Sequence, residues 1–293
     1  MTHATETLIL GLLAGGVYAL LASGVTLIFG VMGIINVAQG AMLVLAGLLT
    51  FELWQRFGLD PIAAAVVTTP VMFAFGWAIY RLFVARIRTA PVSMTVLLMF
   101  ALAITIEGGM GLVWKNVFRS VTPSYFSQSL HLGAFFFPKA QVFGCLAAAV
   151  VLAALWLLLT RTWAGRAIRA ASQSPQGSAL VGVDIRGVAA LTFAIGVATT
   201  GAGGSILSVL YTLFPASHYL WISRLLGIVV LGGMGSLPGA VAGALILGVA
   251  EAFTATYVST RWATVVFYVV ILAVLLVRPQ GLMGSRLRGD VVT

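Results

Sequence analysis

The 23 residues from Thr7 to Phe29 read TLILGLLAGGVYALLASGVTLIF and contain no charged side chain. An α-helix rises 1.5 Å per residue, so a run of this length crosses the roughly 30 Å hydrocarbon layer of a bilayer. The residues before it lack the basic cluster of a secretory signal peptide, and the run is longer than a signal-peptide core. We therefore expect a retained first membrane helix and an all-α membrane protein.

The composition of the whole chain indicates the same class. Of its 293 residues, 61% are hydrophobic and 8% are charged, whereas about a quarter of the residues of a soluble domain are charged. The formal net charge of +9 would suggest a nucleic-acid partner for a soluble protein. Membrane proteins, however, concentrate Lys and Arg in their cytoplasmic loops. We therefore expect contact with membrane lipid and none with nucleic acid.

Seven apolar segments are long enough to cross a bilayer, and one more apolar region is interrupted by Gly and Pro. Residues 1–293 are therefore predicted to form a single transmembrane domain, a polytopic helical bundle of about eight membrane segments. The interrupted region is 225–258, which contains Gly232-Gly-Met-Gly-Ser-Leu-Pro-Gly239. The seven segments are 6–30, 36–55, 61–83, 91–114, 140–160, 188–213 and 262–278.

Three basic clusters set the expected orientation, because positive charge is retained in the cytoplasm. The N-terminus is then outside and the C-terminus in the cytoplasm. An even number of crossings must separate the last two clusters, so region 225–258 has to enter and leave the membrane on one side. We predict a broken or re-entrant hairpin there. The clusters are Arg81, Arg86 and Arg88; Arg161, Arg166, Arg169 and Arg186; and Arg278, Arg286 and Arg288.

The basic segment 161–186 reads RTWAGRAIRAASQSPQGSALVGVDIR and lies between two long apolar helices. It predicts a short helix that carries Arg166 and Arg169 on its polar surface and is broken near Pro175. A helix-forming cytoplasmic loop is a dock for a cytoplasmic partner. A merely solvated loop is the alternative, which explains the charge but not the order of helix and proline.

Two other regions are informative about organisation. Loop 115–139 is the one sizeable external segment, and its Ser, Gly and Pro residues predict turns around a short hairpin. Segments 32–42 and 234–245 each contain Met-Gly, then Val-Ala, then Gly-Ala. Interrupted segments at matching places in two halves of a chain point to a transport site at the midplane, although chance similarity between apolar sequences is the alternative.

Four polar side chains lie inside or beside the predicted spans: Asn36, Gln39, Glu107 and Glu251. Charged groups near the bilayer centre are costly and usually face a bundle interior or a water-filled path. We interpret these four as part of the lining of a polar route, with ties between helices as the alternative. Most Tyr and Trp residues lie near predicted span ends, which indicates interfacial belts; they are Tyr18, Trp114, Trp163, Tyr219, Trp221, Tyr257 and Trp262.

The sequence contains no recognisable catalytic or nucleotide-binding motif. Neither Lys115 nor Lys139, its only lysines, lies in a phosphate-cradling P-loop, and GxSxG and HExxH patterns are missing. Cys145 is a single cysteine, and the three histidines are far apart in the terminus or loops, so we expect no metal site. We therefore expect a conduit rather than an enzyme.

Several motifs carry a family resemblance. They are Gly11-Leu-Leu-Ala-Gly-Gly-Val-Tyr-Ala-Leu20, Gly30-Val-Met-Gly-Ile-Ile-Asn-Val-Ala-Gln-Gly40, Gly165-Arg-Ala-Ile-Arg-Ala170, Ala179-Leu-Val-Gly-Val-Asp184, Leu231-Gly-Gly-Met-Gly-Ser-Leu-Pro-Gly-Ala240 and Val277-Arg-Pro-Gln-Gly-Leu-Met-Gly284. In this order they resemble the permeases of branched-chain amino-acid ABC importers along the whole chain, and the shorter LivH-type subunit more than the longer LivM-type one.

The resemblance implies partners and a location. The partners are a second permease subunit, LivM-like or identical, two cytoplasmic ATP-binding subunits and an extracytoplasmic solute-binding protein. The ATP-binding subunits hold ATP and Mg²⁺, and no cofactor is expected in this chain. The location is the bacterial inner membrane. The resemblance also implies that the 163–184 loop contacts an ATPase subunit, through Gly165, Arg166, Arg169, Pro175, Gly182 and Asp184.

One departure concerns the solute. Family members commonly have Asn-Phe-Ala-His-Gly where this chain has Asn36-Val-Ala-Gln-Gly40. An amide keeps hydrogen bonding but does not titrate near neutral pH as imidazole does. Branched-chain amino acids are the default solutes, and urea, short amides and aromatic acids stay open. An ion-coupled secondary transporter with discontinuous helices, using Glu107 or Glu251 at an ion site, is the alternative function.

Overall fold

The computed structural model describes residues 2–87, 91–132 and 135–284. Arg88 of the first basic cluster, and Arg286 and Arg288 of the third, lie outside these residues. The described part contains long helices, two short helices and one β-hairpin. The helices are α1 Thr2–Met32, α2 Gln39–Phe57, α3 Pro61–Leu82, α4 Val92–Trp114, α5 Lys139–Arg161, α6 Trp163–Gln173, α7 Pro175–Leu180, α8 Ile185–Leu210, α9 His218–Gly232, α10 Leu237–Tyr257 and α11 Thr260–Val277.

Seven helices are apolar and long enough to span a bilayer: α1, α3, α4, α5, α8, α10 and α11. The prediction of a polytopic helical bundle is confirmed. Two further helices of the bundle are α2, which carries Glu52 and Arg56 near its end, and α9, which has 15 residues. The count of eight membrane segments stays a prediction.

Helix α8 is the centre of the bundle, and 94% of its most apolar part is buried. Small residues allow neighbouring backbones to approach it closely. A Cβ atom on Gly201 would lie 2.6 Å from Cα of Thr69 in α3, and one on Gly204 would lie 2.6 Å from the carbonyl oxygen of Leu43 in α2. Close contact between small residues is how helices associate where the hydrophobic effect is weak.

Helices α1 and α10 pack antiparallel along their length through glycine. A Cβ on Gly11 would lie 2.6 Å from Cα of Val249, and one on Gly15 would lie 2.8 Å from Cα of Leu245. At the other end of the pair, Gly30 contacts Gly235. The breaks that follow α1 and precede α10, which contain the two similar sequence segments, therefore begin side by side.

Region 225–258 forms two antiparallel helices joined by a turn, but the first of these helices begins before the predicted start at residue 225. Helix α9 begins at His218, and α10 has 21 residues rather than being short. Gly233 and Gly235, with φ values of 100° and 85°, make the turn, since glycine adopts positive φ without steric cost. The re-entrant character of this hairpin stays a prediction.

The hairpin predicted within loop 115–139 is present, and its external location stays a prediction. Strands β1, Ser129–Leu132, and β2, Phe135–Pro138, pair antiparallel with Leu130 opposite Phe137. The backbone N–H of Phe136 donates to Glu6 Oε1 over 3.3 Å. This contact joins the hairpin to the start of α1.

Candidate functional site

Asn36 and Gln39 form a buried polar pair at the break between α1 and α2. Asn36 Nδ2 donates to Gln39 Oε1 over 2.8 Å, and Gln39 Nε2 donates to the carbonyl oxygen of Gly196 in α8 over 2.7 Å. Both side chains are completely buried. Gly24 gives them room, because a Cβ there would lie 2.6 Å from Gln39 Nε2. The pair thus ties the start of α2 to the central helix.

Glu107 lies in a second polar cluster, between α4 and the start of α9. Its Oε2 is 3.0 Å from His218 Nε2 and accepts a hydrogen bond of 3.0 Å from the Tyr219 hydroxyl. The prediction that His218 lies in a loop is wrong, because it is buried at the first residue of α9. Its Nδ1 has no hydrogen-bond partner among the described residues.

Glu251 belongs to a third cluster, which contains a buried arginine that the sequence analysis missed. Arg224 Nη2 is 2.9 Å from Glu251 Oε1. Arg224 Nη1 donates to the Tyr18 hydroxyl over 2.7 Å, and this hydroxyl donates to Glu251 Oε2 over 2.8 Å. The Tyr211 hydroxyl lies 3.1 Å from that of Tyr18. The cluster links α1, α9 and α10 with the end of α8.

Aromatic rings surround the guanidinium group of Arg224. Its central carbon lies 5.8 Å from the ring centre of Tyr18 and 5.6 Å from those of Trp221 and Phe267, within the range of cation–π attraction. Tyr18 and Trp221 are 2% and 3% exposed. The expectation that these two residues belong to interfacial belts is therefore wrong. An arginine within an apolar helix was the available signal, since such a residue needs a partner.

The four residues predicted to line a route thus occupy three separate clusters. Asn36 and Gln39 are together, while Glu107 and Glu251 each have their own partners. All three clusters lie between helices of the bundle. Among the described residues, no group of three or more His, Cys, Asp or Glu side chains could hold a metal ion.

The basic segment 161–186 folds as two short helices rather than one. Thr162 caps α6 by accepting a hydrogen bond of 3.0 Å from Gly165 N, and Ser174 caps α7 by accepting one of 3.1 Å from Gly177 N. Pro175 is the first residue of α7, where its missing N–H costs nothing. The predicted helix, broken near this proline, is therefore present.

The remaining residues of this segment have distinct positions. Gly165 packs tightly against the end of α5, since a Cβ there would lie 2.2 Å from the carbonyl oxygen of Leu158. Arg166 and Arg169 are exposed. Gly182 has a φ of 83°, and Asp184 caps α8 by accepting a hydrogen bond of 3.0 Å from Arg186 N.

The surface formed by α6, α7 and the turn after them also exposes apolar groups. Leu180 is 89% exposed and Val181 is 80% exposed. On the side facing the bundle, Ile168 packs with Leu159 of α5 and Leu27 of α1. We call residues 163–184 the short-helix surface. It is anchored to the bundle through Ile168 and exposes both cations and aliphatic groups.

A bundle of long apolar helices with polar side chains paired between them and a projecting helical loop defines a multi-pass membrane transport component. The chain belongs to the family described as branched-chain amino acid transport system / permease component, whose family model matches residues 7–275. It is therefore a permease component and a multi-pass protein of the inner membrane. The family supports this function and not the ion-coupled alternative.

Curated relatives cover nearly the whole chain. One relative is the high-affinity branched-chain amino acid transport system permease protein LivH of Escherichia coli K12. It is 30% identical, and the match covers 94% of this chain and 93% of the LivH chain. The corresponding protein BraD of Pseudomonas aeruginosa is 29% identical over 96% of both. The fructose import permease protein FrcC of Rhizobium meliloti is 25% identical over 84% of this chain and 69% of its own. No solved structure matches.

Proposed function

We propose that this chain is the membrane-spanning subunit of a binding-protein-dependent ABC importer, which carries a branched-chain amino acid or a related small polar solute into the cell. The relatives named as branched-chain amino acid permeases, at about 30% identity along the chain, support this solute class. The sequence has no P-loop, so the energy has to come from other subunits. Those subunits are the proposed holders of ATP and Mg²⁺.

The short-helix surface is the observation that carries the proposal. It exposes Arg166 and Arg169 as well as the aliphatic Leu180 and Val181, a combination that suits a protein partner better than water. Tight packing of Gly165 against α5 would let a push on α6 move the bundle as a rigid body. We assign the ATPase contact to Gly165, Arg166, Arg169, Pro175, Gly182 and Asp184.

The remaining assembly follows from the same class of importer. A second permease subunit, LivM-like or identical, would complete the pathway, and two ATP-binding subunits would dock in the cytoplasm. A solute-binding protein would deliver the solute to the side that carries the β-hairpin. The N-terminus is then outside and the C-terminus in the cytoplasm. The basic clusters favour this orientation, because they lie at the helix ends that it places in the cytoplasm.

Copurification with the ATPase tests the proposal. We expect a P-loop ATPase to copurify with the tagged chain and to be lost from the variant Arg166→Glu/Arg169→Glu. The matched control is Lys115→Glu/Arg261→Glu, two charge reversals at exposed positions at the other end of the bundle, which should retain the ATPase. Purification of the unsubstituted complex without any ATPase would refute the proposal.

We further propose that Asn36, Gln39, Glu107 and Glu251 contribute to the lining of the solute pathway. All four are polar groups between helices, where an unneeded charge is costly. The variants Glu107→Gln and Glu251→Gln, compared at equal membrane abundance, should each reduce solute uptake. Full uptake by both variants would remove the two carboxylates from the pathway.

A further inference from the structure

The ion pair of Arg224 and Glu251 lies deep in the bundle beside a cavity. Tyr18, which bridges the two charges, is near the middle of the 31-residue helix α1. The side chains of Arg224 and Glu251 are 10% and 19% exposed. Burying such a pair costs solvation free energy, and an apolar pair of similar size is often as stable or more stable. A tie between α9 and α10 therefore does not by itself require these charges.

The adjoining cavity has a volume of about 140 Å³ and is lined mainly by Leu13, Val17, Leu210, Tyr18, Tyr211 and Gln141. An apolar cavity of roughly 150 Å³ holds a group as large as benzene, so this one has room for an aliphatic side chain of four carbons. Two buried atoms have no hydrogen-bond partner in the described part of the chain: Oε1 of Gln141, which lines the cavity, and Nε of Arg224 in the ion pair. The site thus has spare capacity for both a donor and an acceptor.

We propose that Arg224 and Glu251 bind the two opposite charges of a zwitterionic α-amino acid as it passes through the membrane. The carboxylate of the ligand replaces Glu251 at the guanidinium group, and its ammonium group replaces Arg224 at the carboxylate. Each protein charge exchanges one oppositely charged partner for another, so neither Arg224 nor Glu251 is left unpaired. The aliphatic side chain of the ligand lies in the cavity, and Gln141 Oε1 accepts from the ammonium group.

The tyrosine hydroxyls connect the cavity to the charges. Tyr211 lines the cavity and contacts Tyr18, and Tyr18 contacts both Arg224 and Glu251. Opening of this hydroxyl chain gives a ligand in the cavity access to the ion pair. A sugar or urea has no pair of opposite charges to exchange, so the site selects for amino acids. This inference rests on the proposed function, because it concerns the solute of the importer.

Two double variants separate ligand binding from a structural role. Arg224→Met/Glu251→Leu replaces the pair with apolar groups of similar size, and Arg224→Glu/Glu251→Arg keeps an ion pair of reversed polarity. The assay is ATP-driven uptake of leucine by proteoliposomes that contain the complete importer and its binding protein. We expect both variants to assemble with the ATPase and to lose leucine uptake about 100-fold, since charge-assisted contacts are worth several kcal/mol and 1.4 kcal/mol is tenfold.

The control is Arg56→Met, which breaks the ion pair of this exposed arginine with Glu52 near the end of α2 and should leave uptake unchanged. Leucine uptake within twofold of the unsubstituted importer in either pathway variant would overturn the inference, because a site of fixed polarity cannot tolerate either change. ATP-driven uptake of an uncharged solute alone by the unsubstituted importer would also overturn it. Failure of the proposed function is a different result, namely no copurifying ATPase and no ATP-driven uptake of any solute.

Discussion

Gln39 Nε2 donates a 2.7 Å hydrogen bond to the carbonyl oxygen of Gly196, so the first residue of α2 is tied to the interior of the central helix α8. The same amide accepts from Asn36 through its Oε1. The Gln39 side chain therefore connects Asn36, in the break after α1, to the backbone of α8. It must act as donor and acceptor at the same time, which an amide does without any change in protonation.

Replacing this amide should be destabilising. Gln39→Leu leaves Asn36 Nδ2 buried without its acceptor, and an unsatisfied buried group of this kind costs about 1–3 kcal/mol. We expect a lower free energy of unfolding in detergent, measured by reversible denaturation. A free energy equal to that of the unsubstituted protein would show that the pair is not needed to close the break.

Gln39→His should restore the contacts only while the imidazole is neutral. A neutral ring can donate to Gly196 with one nitrogen and accept from Asn36 with the other, whereas the cation has no acceptor. The stability of this variant should approach that of the unsubstituted protein at pH 8 and fall as the pH drops through the range where imidazole is protonated. The unsubstituted protein, measured in parallel, supplies the control.

The packing of α1 on α10 depends on Gly248. A Cβ at this position would lie 2.6 Å from both the carbonyl oxygen of Gly11 and the N atom of Gly15. These are backbone atoms that cannot rotate away, so Gly248→Ala should lower the free energy of unfolding by about 1–3 kcal/mol through overpacking.

Gly109 supplies the matched control for this substitution. It lies in α4, and nothing is within 4 Å of the position its Cβ would occupy. Gly109→Ala should be neutral or stabilising by up to about 1 kcal/mol, because alanine is the better helix former. Equal losses of thermal stability in the two variants would contradict the assignment of close contact to Gly248.

Features that depend on local sequence were predictable. The long apolar runs, the helix broken near Pro175 and the hairpin within loop 115–139 each follow from neighbouring residues, and the structure contains all three. The start of α9 was missed because His218 and Arg224 reduce the apolar character of its first half. Those same two residues turn out to be buried and paired.

The polar clusters required tertiary information. Glu251 and Tyr18 are separated by 233 positions in the sequence, and Arg224 and Glu251 by 27. Their meeting depends on the antiparallel packing of α1 with α10, which no local sequence pattern specifies. Asn36 and Gln39, three positions apart, were foreseeable as neighbours; their contact with Gly196 was not.

The phenol of Tyr125 gives loop 115–139 a pH-dependent contact. Its hydroxyl donates to Asp60 Oδ1 over 3.5 Å. Burial, together with the nearby Asp60 carboxylate, raises the pKa of Tyr125 above its usual value of 10.0. The folded protein therefore favours the neutral phenol, and this contribution to stability is complete below the pKa of the unfolded chain and lost as the pH rises above it.

We expect thermal stability to fall more steeply between about pH 9.5 and pH 11 in the unsubstituted protein than in Tyr125→Phe, because unfolded tyrosine titrates near pH 10. The comparison removes the contributions of all other titrating groups. Parallel stability profiles for the two proteins would show that Tyr125 is not coupled to folding.

Gly165 is expected to control how α6 lies on α5. Its Cβ would be 2.2 Å from the carbonyl oxygen of Leu158 and 2.4 Å from that of Leu159, so Gly165→Ala must move α6 away from the bundle. Gly182→Ala tests the same segment without a steric clash, since no atom lies within 4 Å there and only its positive φ resists substitution. ATPase activity stimulated by the solute-binding protein should fall more in Gly165→Ala; equal activities would argue against a rigid α6–α5 contact.

The exposed aliphatic pair of Leu180 and Val181 should contribute to partner binding and not to folding. Their side chains are almost fully exposed in the free chain, and surface substitutions usually change stability by less than about 0.5 kcal/mol. Leu180→Asp/Val181→Asp should therefore leave thermal stability unchanged while reducing the copurified ATPase at least tenfold. The control Gln173→Asp/Gln176→Asp adds the same charge at exposed polar positions of α6 and α7. Equal loss of ATPase in both variants would show that the added charge, and not the lost apolar contact, breaks the interface.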